Sequence, residues 1–396
     1  MRFFRDLTLS TFTAGIVAVL VAFASSVAVV YQAAQALGAT PAQVTSWVWA
    51  LSMGMGLCTV IPSLMLKKPV MIAWSTPGGA VVATAAMAGG FTMAEGIGAF
   101  LMGAVLIVLA GATGWFERVM SRIPMALAAA LLAGVLGRFA LDAFSAARTA
   151  PALVVLMLLA YLLARRLAPR YAVVLTLLVG VAHAAVSGQL QWSGVSLELA
   201  RPVFTMPAFS FSAFMSITLP LFVVTMASQN LPGVAVIRAS GYQMPISRLI
   251  TMTGVATFIF APFGGYALNL GAITAAICTG PGAHEDLSKR YTAAVVCGVL
   301  YLIIGLFAGV ITGLLMAFPS ELVLAIAGLA LLGSIAGGLS QALAHENERE
   351  AALITFLVTL SGVAIAGVGS AFWGVVAGSI ALFVQQYGRK PRNPSS

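Results

Sequence analysis

The polar side chains that interrupt the apolar segments of this chain are hydroxyls and amides: Ser25-Ser26, Ser75-Thr76, Ser228-Gln229-Asn230 and Asn269. None is a carboxylate. Hydroxyl and amide groups can donate hydrogen bonds to an anion, which a carboxylate would repel. Two of these sets fall in breaks, Trp74-Ser75-Thr76-Pro77-Gly78-Gly79 and the stretch from Ala261 to Ala272, each flanked by apolar sequence. At Ser75-Thr76-Pro77 a hydroxyl N-cap and a first-turn proline predict the start of a half-helix. The β-prone Val70-Met71-Ile72 before it predicts a short extended strand over Pro69–Trp74. In the second break, Pro262–Leu268 is expected to enter from the opposite side, with Asn269 capping a helix that runs to Cys278.

A helix N-terminus carries about half a positive charge and several unpaired N–H groups. Two such ends facing one dry pocket would hold a small anion. Gly78, Gly79 and Gly271 would let that ligand approach the backbone, with Leu270 beside it. Ser25, Ser26, Ser228, Gln229 and Asn230 are expected to face the same pocket from spans 1 and 8. Trp74 and Tyr266, with Phe23 and Tyr31, would supply an apolar wall. A Pro/Gly kink in a continuous helix is the competing reading of either break, and helix–helix hydrogen bonding is the competing reading of the amides.

The elements that must position these residues are membrane spans. The chain has 396 residues, 61% hydrophobic and 8% charged, against about a quarter charged in soluble domains. Stretches such as Thr11–Val30 and Tyr291–Phe318 hold no Asp, Glu, Lys or Arg, and a bilayer-spanning helix needs about 20 such residues. The pattern predicts an all-α polytopic membrane protein with about fourteen transmembrane segments, the short ones, 3 and 10, being the half-helices. With a cytoplasmic N-terminus, only Arg138, Arg148 and Arg201 of the 20 basic residues face outward. The net charge of +9 then reports the positive-inside rule rather than a nucleic-acid partner. Cys58, Cys278 and Cys297 lack metal-ligand spacing and read as small buried hydrophobes. No metal and no cofactor is implied.

The chain also repeats itself. Offset by 203 residues, Ala24-Ser25 matches Ala227-Ser228, and Gly38 matches Gly241. At an offset of 200, Gly54 matches Gly254 and Pro62 matches Pro262, and the two breaks follow. An odd number of spans per half inverts the second half, so the expectation is a 7+7 inverted repeat, a transporter architecture.

The segments Ala227-Ser228-Gln229-Asn230-Leu231-Pro232-Gly233, Trp74-Ser75-Thr76-Pro77-Gly78 and Pro262 to Thr274 resemble the BenE family of benzoate–proton symporters, over essentially the whole chain. That family is related to nucleobase–cation symporters and sulfate permeases. The resemblance implies a core domain (1–122 and 205–318, segments 1–4 and 8–11), a gate domain (123–200 and 319–388, segments 5–7 and 12–14) and a cytoplasmic tail (389–396). It implies substrate between the half-helices of segments 3 and 10, a homodimer packed through the gate domain, and residence in the bacterial inner membrane. Nucleobase carriers of this type place carboxylates where this chain has Gln229, Asn230 and Asn269, which favours an aromatic acid anion such as benzoate. Another small anion or a nucleobase is the same-fold alternative.

Bringing one negative charge in against an inside-negative potential costs about 2.3 kcal/mol per 100 mV, and one co-transported proton removes that cost. Glu95 and Glu321, at span starts, are the acids nearest to such a role, with helix N-terminal stabilisation the plainer reading of both. A membrane-embedded enzyme is disfavoured, since no paired-Asp, His-Glu-x-x-His, Gly-x-Ser-x-Gly or Walker A pattern occurs.

Overall fold

Caps written into the sequence set many of the helix boundaries. The computed structural model describes residues 2–114, 124–191, 198–280, 283–363, 365 and 370–386; the tail 389–396 and the predicted domain boundary at 122/123 lie outside them. After a one-turn helix, Arg2–Asp6, helix α1 spans Leu9–Ala36 behind a Thr8–Thr11 capping box. Helix α2, Pro41–Leu66, follows a Thr40–Gln43 box with proline in its first turn. Strand β1 is Ile72–Trp74 and α3 is Thr76–Gly89. Then come α4 (Met93–Ala112), α5 (Met125–Ser145), α6 (Pro151–Leu167) and α7 (Ala172–Val186).

The second half repeats this plan. Segment α8 is Phe211–Arg238, α9 is Ile246–Phe260, β2 is Leu268–Leu270 and α10 is Ala272–Thr279. The next span is built from α11 (Tyr291–Leu306) and α12 (Ala308–Ala317). Helices α13 (Ser320–Ala342), α14 (Arg349–Ser361) and α15 (Ser370–Gln386) complete it. Among the described residues, eight helices are long and apolar enough to cross a membrane, and three more are shorter and apolar.

Strands β1 and β2 pair antiparallel, with Ile72 opposite Leu270, Ala73 opposite Asn269 and Trp74 opposite Leu268. Equivalent strands of the two halves therefore run in opposite directions, as an inverted repeat requires. Non-helical backbone at membrane depth must find partners inside the protein, and here hydroxyls of flanking helices supply them. Thr59 of α2 accepts from the Ile72 N–H at 3.1 Å, and Thr257 of α9 accepts from the Leu268 N–H at 3.0 Å. Ser75 N–H donates to the Ala267 carbonyl and Gly271 N–H to the Met71 carbonyl, closing the two ends of the ladder.

Segment α8 departs from regular geometry twice. Five-residue π turns cover Phe214–Thr218 and Met226–Asn230, each ending two residues before a proline, Pro220 or Pro232. Proline offers no N–H and its ring crowds the carbonyl four residues back; a wider turn relieves both. The Leu231-Pro232-Gly233 stretch is thus preceded directly by a widened turn.

Helices α1–α4 pack mainly with α8–α11, the tightest pairs being α2 with α11 and α4 with α9. Helices α5–α7 pack with α13–α15, led by α5 against α13. Contacts of α13 with α1 and of α5 with α3 join the two groups, and the cavity lies along that junction.

Candidate functional site

The strand pair sets the site. Helices α3 and α10 begin at opposite ends of the β1–β2 ladder and both first turns reach one cavity of about 680 Å³, through Thr76 and Pro77 on one side and Ala272, Ile273 and Thr274 on the other. Ser75 caps α3, its hydroxyl accepting from the Gly78 N–H at 3.0 Å, and Thr225 of α8 donates to that same hydroxyl at 3.0 Å. The first turn of each helix leaves N–H groups with no acceptor within the helix, so both ends present donors and partial positive charge.

The two long faces of the cavity differ in character. One is formed by α1, β1, α3, α8 and the start of α10, and it carries Ser26, Trp74, Thr76, Ser228, Gln229 and Thr274. Trp74 Nε1–H donates to Ser26 Oγ at 2.9 Å, which in turn donates to the Ala22 carbonyl at 2.6 Å. Phe23 stacks edge-on against Trp74 from behind, 4.8 Å between ring centres. The other face comes from α5 and α13 and is apolar except for Gln341. No Asp, Glu, Lys, Arg or His lines the cavity among the described residues.

Of the residues singled out from sequence, Ser26, Trp74, Thr76, Ser228, Gln229 and Gly271 line this cavity, while the side chain of Ser25 lies outside the described residues. Several are redirected. Asn269 does not cap α10; the N-cap is Gly271, with no side-chain bond. Asn269 sits in β2 opposite Ala73, fully buried, its amide donating to the Ala267 carbonyl at 3.3 Å. Asn230 turns away from the cavity, its Oδ1 accepting from the Leu270 N–H at 2.9 Å. Gly233, one turn on, makes that approach feasible, since a side chain there would collide with Leu270. Leu270 is itself buried in the ladder.

Tyr266 is not a cavity wall. Its ring packs with Trp47 and Phe100 at 5.8 and 5.6 Å, and its hydroxyl lies where a side chain on Gly79 would project. Gly78 likewise makes room for Leu221 of α8. Of the three glycines expected to admit a ligand, only Gly271 borders the cavity.

Glu95 and Glu321 stand apart from it. Glu95 closes a capping box at the start of α4, accepting from the Thr92 N–H and hydroxyl at 3.0 and 2.9 Å, and Glu321 pairs with the Ser320 hydroxyl at 3.1 Å. Sequence reading missed the whole α5/α13 wall, including Met125, Leu132, Gly337 and Gln341. Small and apolar residues at helical spacing look alike whether they face lipid, protein or a cavity.

A family model described as benzoate membrane transport protein, BenE, matches residues 5–384. This chain belongs to the BenE family. Among its relatives, the inner membrane protein YdcO of Escherichia coli strain K12 is 46% identical over 374 residues, covering 94% of this chain and 95% of that protein. The benzoate membrane transport protein of Acinetobacter baylyi is 38% identical over 380 residues, covering 96% of each. Among solved structures, the transmembrane domain of the cyanobacterial bicarbonate transporter BicA aligns with a TM-score of 0.56 at 12% identity, over 97% of this chain and 98% of that one. SLC26A9 aligns with a TM-score of 0.64 at 12% identity, over 96% of this chain and 66% of that one. This BenE protein thus has the 7+7 inverted-repeat fold of those carriers and is a multi-pass membrane transporter.

Proposed function

We propose that this chain imports benzoate or a similar aromatic monocarboxylate together with a proton, by alternating access, across a bacterial inner membrane. The observation that carries the reading is the two-faced cavity: half-helix ends, hydroxyls and the Gln229 amide on one side, apolar side chains on the other. A carboxylate suits the first face and a ring the second. The benzoate transport protein related to this chain over 96% of its length adds support. Segments 1–4 and 8–11 act as the core that carries substrate, and segments 5–7 and 12–14 as the gate, paired with that of a second copy.

Under the positive-inside rule both chain termini and the cluster Lys67, Lys68, Arg238 and Lys289 are cytoplasmic. The cavity runs to Met125 and Gln341, at the same ends of the helices, so this conformation faces inward. Among the described residues its wall offers no acid to hold the coupled proton. The proton therefore sits on the substrate carboxylate during occlusion, when loss of water favours the neutral form.

The test is uptake of labelled benzoate into proteoliposomes. An inward-directed proton gradient should accelerate it, a protonophore should abolish the acceleration, and an imposed membrane potential alone should have no effect. Uptake that ignores the pH gradient overturns symport. Glu95→Gln and Glu321→Gln should remain coupled to the gradient; uncoupled uptake in either variant would return the proton to that acid.

A further inference from the structure

The α5/α13 wall is longer than a single aromatic ring requires. Its lining positions span Met125 to Leu136 on α5 and, on α13, fall in two sets, Ala330-Leu331 and Gly337 to Gln341. On either helix the first and last of these positions lie three helical turns apart, about 16 Å at about 1.5 Å per residue. A cavity of about 680 Å³ falls in the range of about 300–1,000 Å³ that holds drug-sized ligands. A one-ring acid anchored at the half-helix ends would leave much of the apolar wall uncovered.

Two adjacent glycines on α13 show which part of that space is kept open. A side chain on Gly338 would meet the Ala129 carbonyl at 3.1 Å and the Ala133 side chain at 3.3 Å, so this glycine permits the close crossing of α5 and α13. At Gly337 an added side chain would meet nothing within 4 Å, although the residue lines the cavity. Glycine inside a helix is destabilising relative to alanine. At Gly338 close packing offsets that loss. At Gly337 nothing in the packing does, and what the missing side chain leaves is cavity volume.

Resting on the substrate reading above, we infer that Gly337 sets the width of the apolar half of the site, and that the chain accepts aromatic monocarboxylates extended at the position opposite the carboxylate. Such an acid keeps its carboxylate at the half-helix ends and lays its extension along the α5/α13 seam toward Gln341.

The experiment is competition against labelled benzoate uptake in proteoliposomes by unlabelled benzoate, 4-methylbenzoate and 4-phenylbenzoate. In the wild type, 4-phenylbenzoate should compete with an inhibition constant within about tenfold of that of benzoate. In Gly337→Leu the ratio of the two constants should rise by about tenfold or more, the discrimination that a few methylene groups give in an apolar pocket. Gly337→Ala, which adds one methyl to open space, should give a smaller shift in the same direction and serves if the leucine variant does not assemble. Rejection of 4-phenylbenzoate by the wild type, or an unchanged ratio in both variants, overturns the inference alone. Wild-type protein with no saturable benzoate uptake overturns the substrate reading and this inference with it.

Discussion

Three neighbouring amides have separate jobs. Gln229 lines the cavity, Asn230 ties α8 to β2 by accepting from the Leu270 N–H, and Asn269 bonds within its own segment to the Ala267 carbonyl. Gln229→Ala should therefore leave the melting temperature of the detergent-solubilised protein nearly unchanged, as expected for a side chain outside the packed core. Its KM for benzoate should rise about tenfold or more, the worth of one hydrogen bond to a charged group. A Gln229→Ala protein with wild-type uptake would remove this side chain from the substrate's surroundings. Asn230→Ala should behave in the opposite way. It strands the buried Leu270 N–H, at a cost of about 1–3 kcal/mol, so its melting temperature should fall before any change in substrate preference is seen. The residue types were legible from sequence as anion-compatible, but which amide faces the cavity was not. Neighbours on a helix point about 100° apart, and only the packing of α8 against β2 decides which one turns inward.

At the scale of elements, the two half-helices were legible to different degrees. The start of α3 could be read because its signals are local: Ser75 accepts from an N–H three residues on, and Pro77 fits the first turn. The start of α10 was misread because Asn269 is claimed by a strand partner, Ala73, from the other half of the chain. The far end of α10 has a support that sequence did not single out. Arg290, 7% exposed, donates to the Thr279 carbonyl at 2.6 Å and also to the carbonyls of His284 and Glu285. A cation there satisfies end carbonyls and complements the dipole of a helix whose other end meets the cavity. Arg290→Ala should destabilise the protein by about 1.5–3 kcal/mol, the worth of a hydrogen bond involving a charged group. Arg290→Lys should recover only part of that, since one ammonium cannot span three carbonyls. Thermal melts of both variants check it; equal stability of Arg290→Ala and wild type would show that the cap is dispensable.

At the scale of the molecule, the stretch between the halves ties one group of helices together. Ala200 N–H donates to the Leu306 carbonyl, Val203 N–H to Ser46, Thr205 N–H to the Pro262 carbonyl and Ala208 N–H to the Ala94 carbonyl. This strap crosses the ends of α2, α4, α9 and α11 and fastens those four helices into one body. Movement between that body and the α5/α13 group would expose the cavity to either side in turn. On the proposal that the cavity faces inward, Gln341→Cys should react with a membrane-impermeant thiol reagent applied from the cytoplasmic side, and benzoate should slow the reaction. The three native cysteines are buried, so background labelling should be low. Labelling from the outer side only would reverse the assigned direction of the mouth.

The number of segments, the inverted repeat, the two breaks and the anion-compatible chemistry were all present in the sequence. Each depends on apolar run length, local capping or the order of repeated residues, which a linear chain records directly. Only the tertiary structure decided that Asn230, Asn269 and Tyr266 serve the scaffold, and that a wall of alanines, leucines and glycines on α5 and α13 closes the cavity. Those assignments depend on which faces meet across nearly two hundred residues of chain. An apolar side chain carries no mark of whether it will meet lipid, another helix or a ligand.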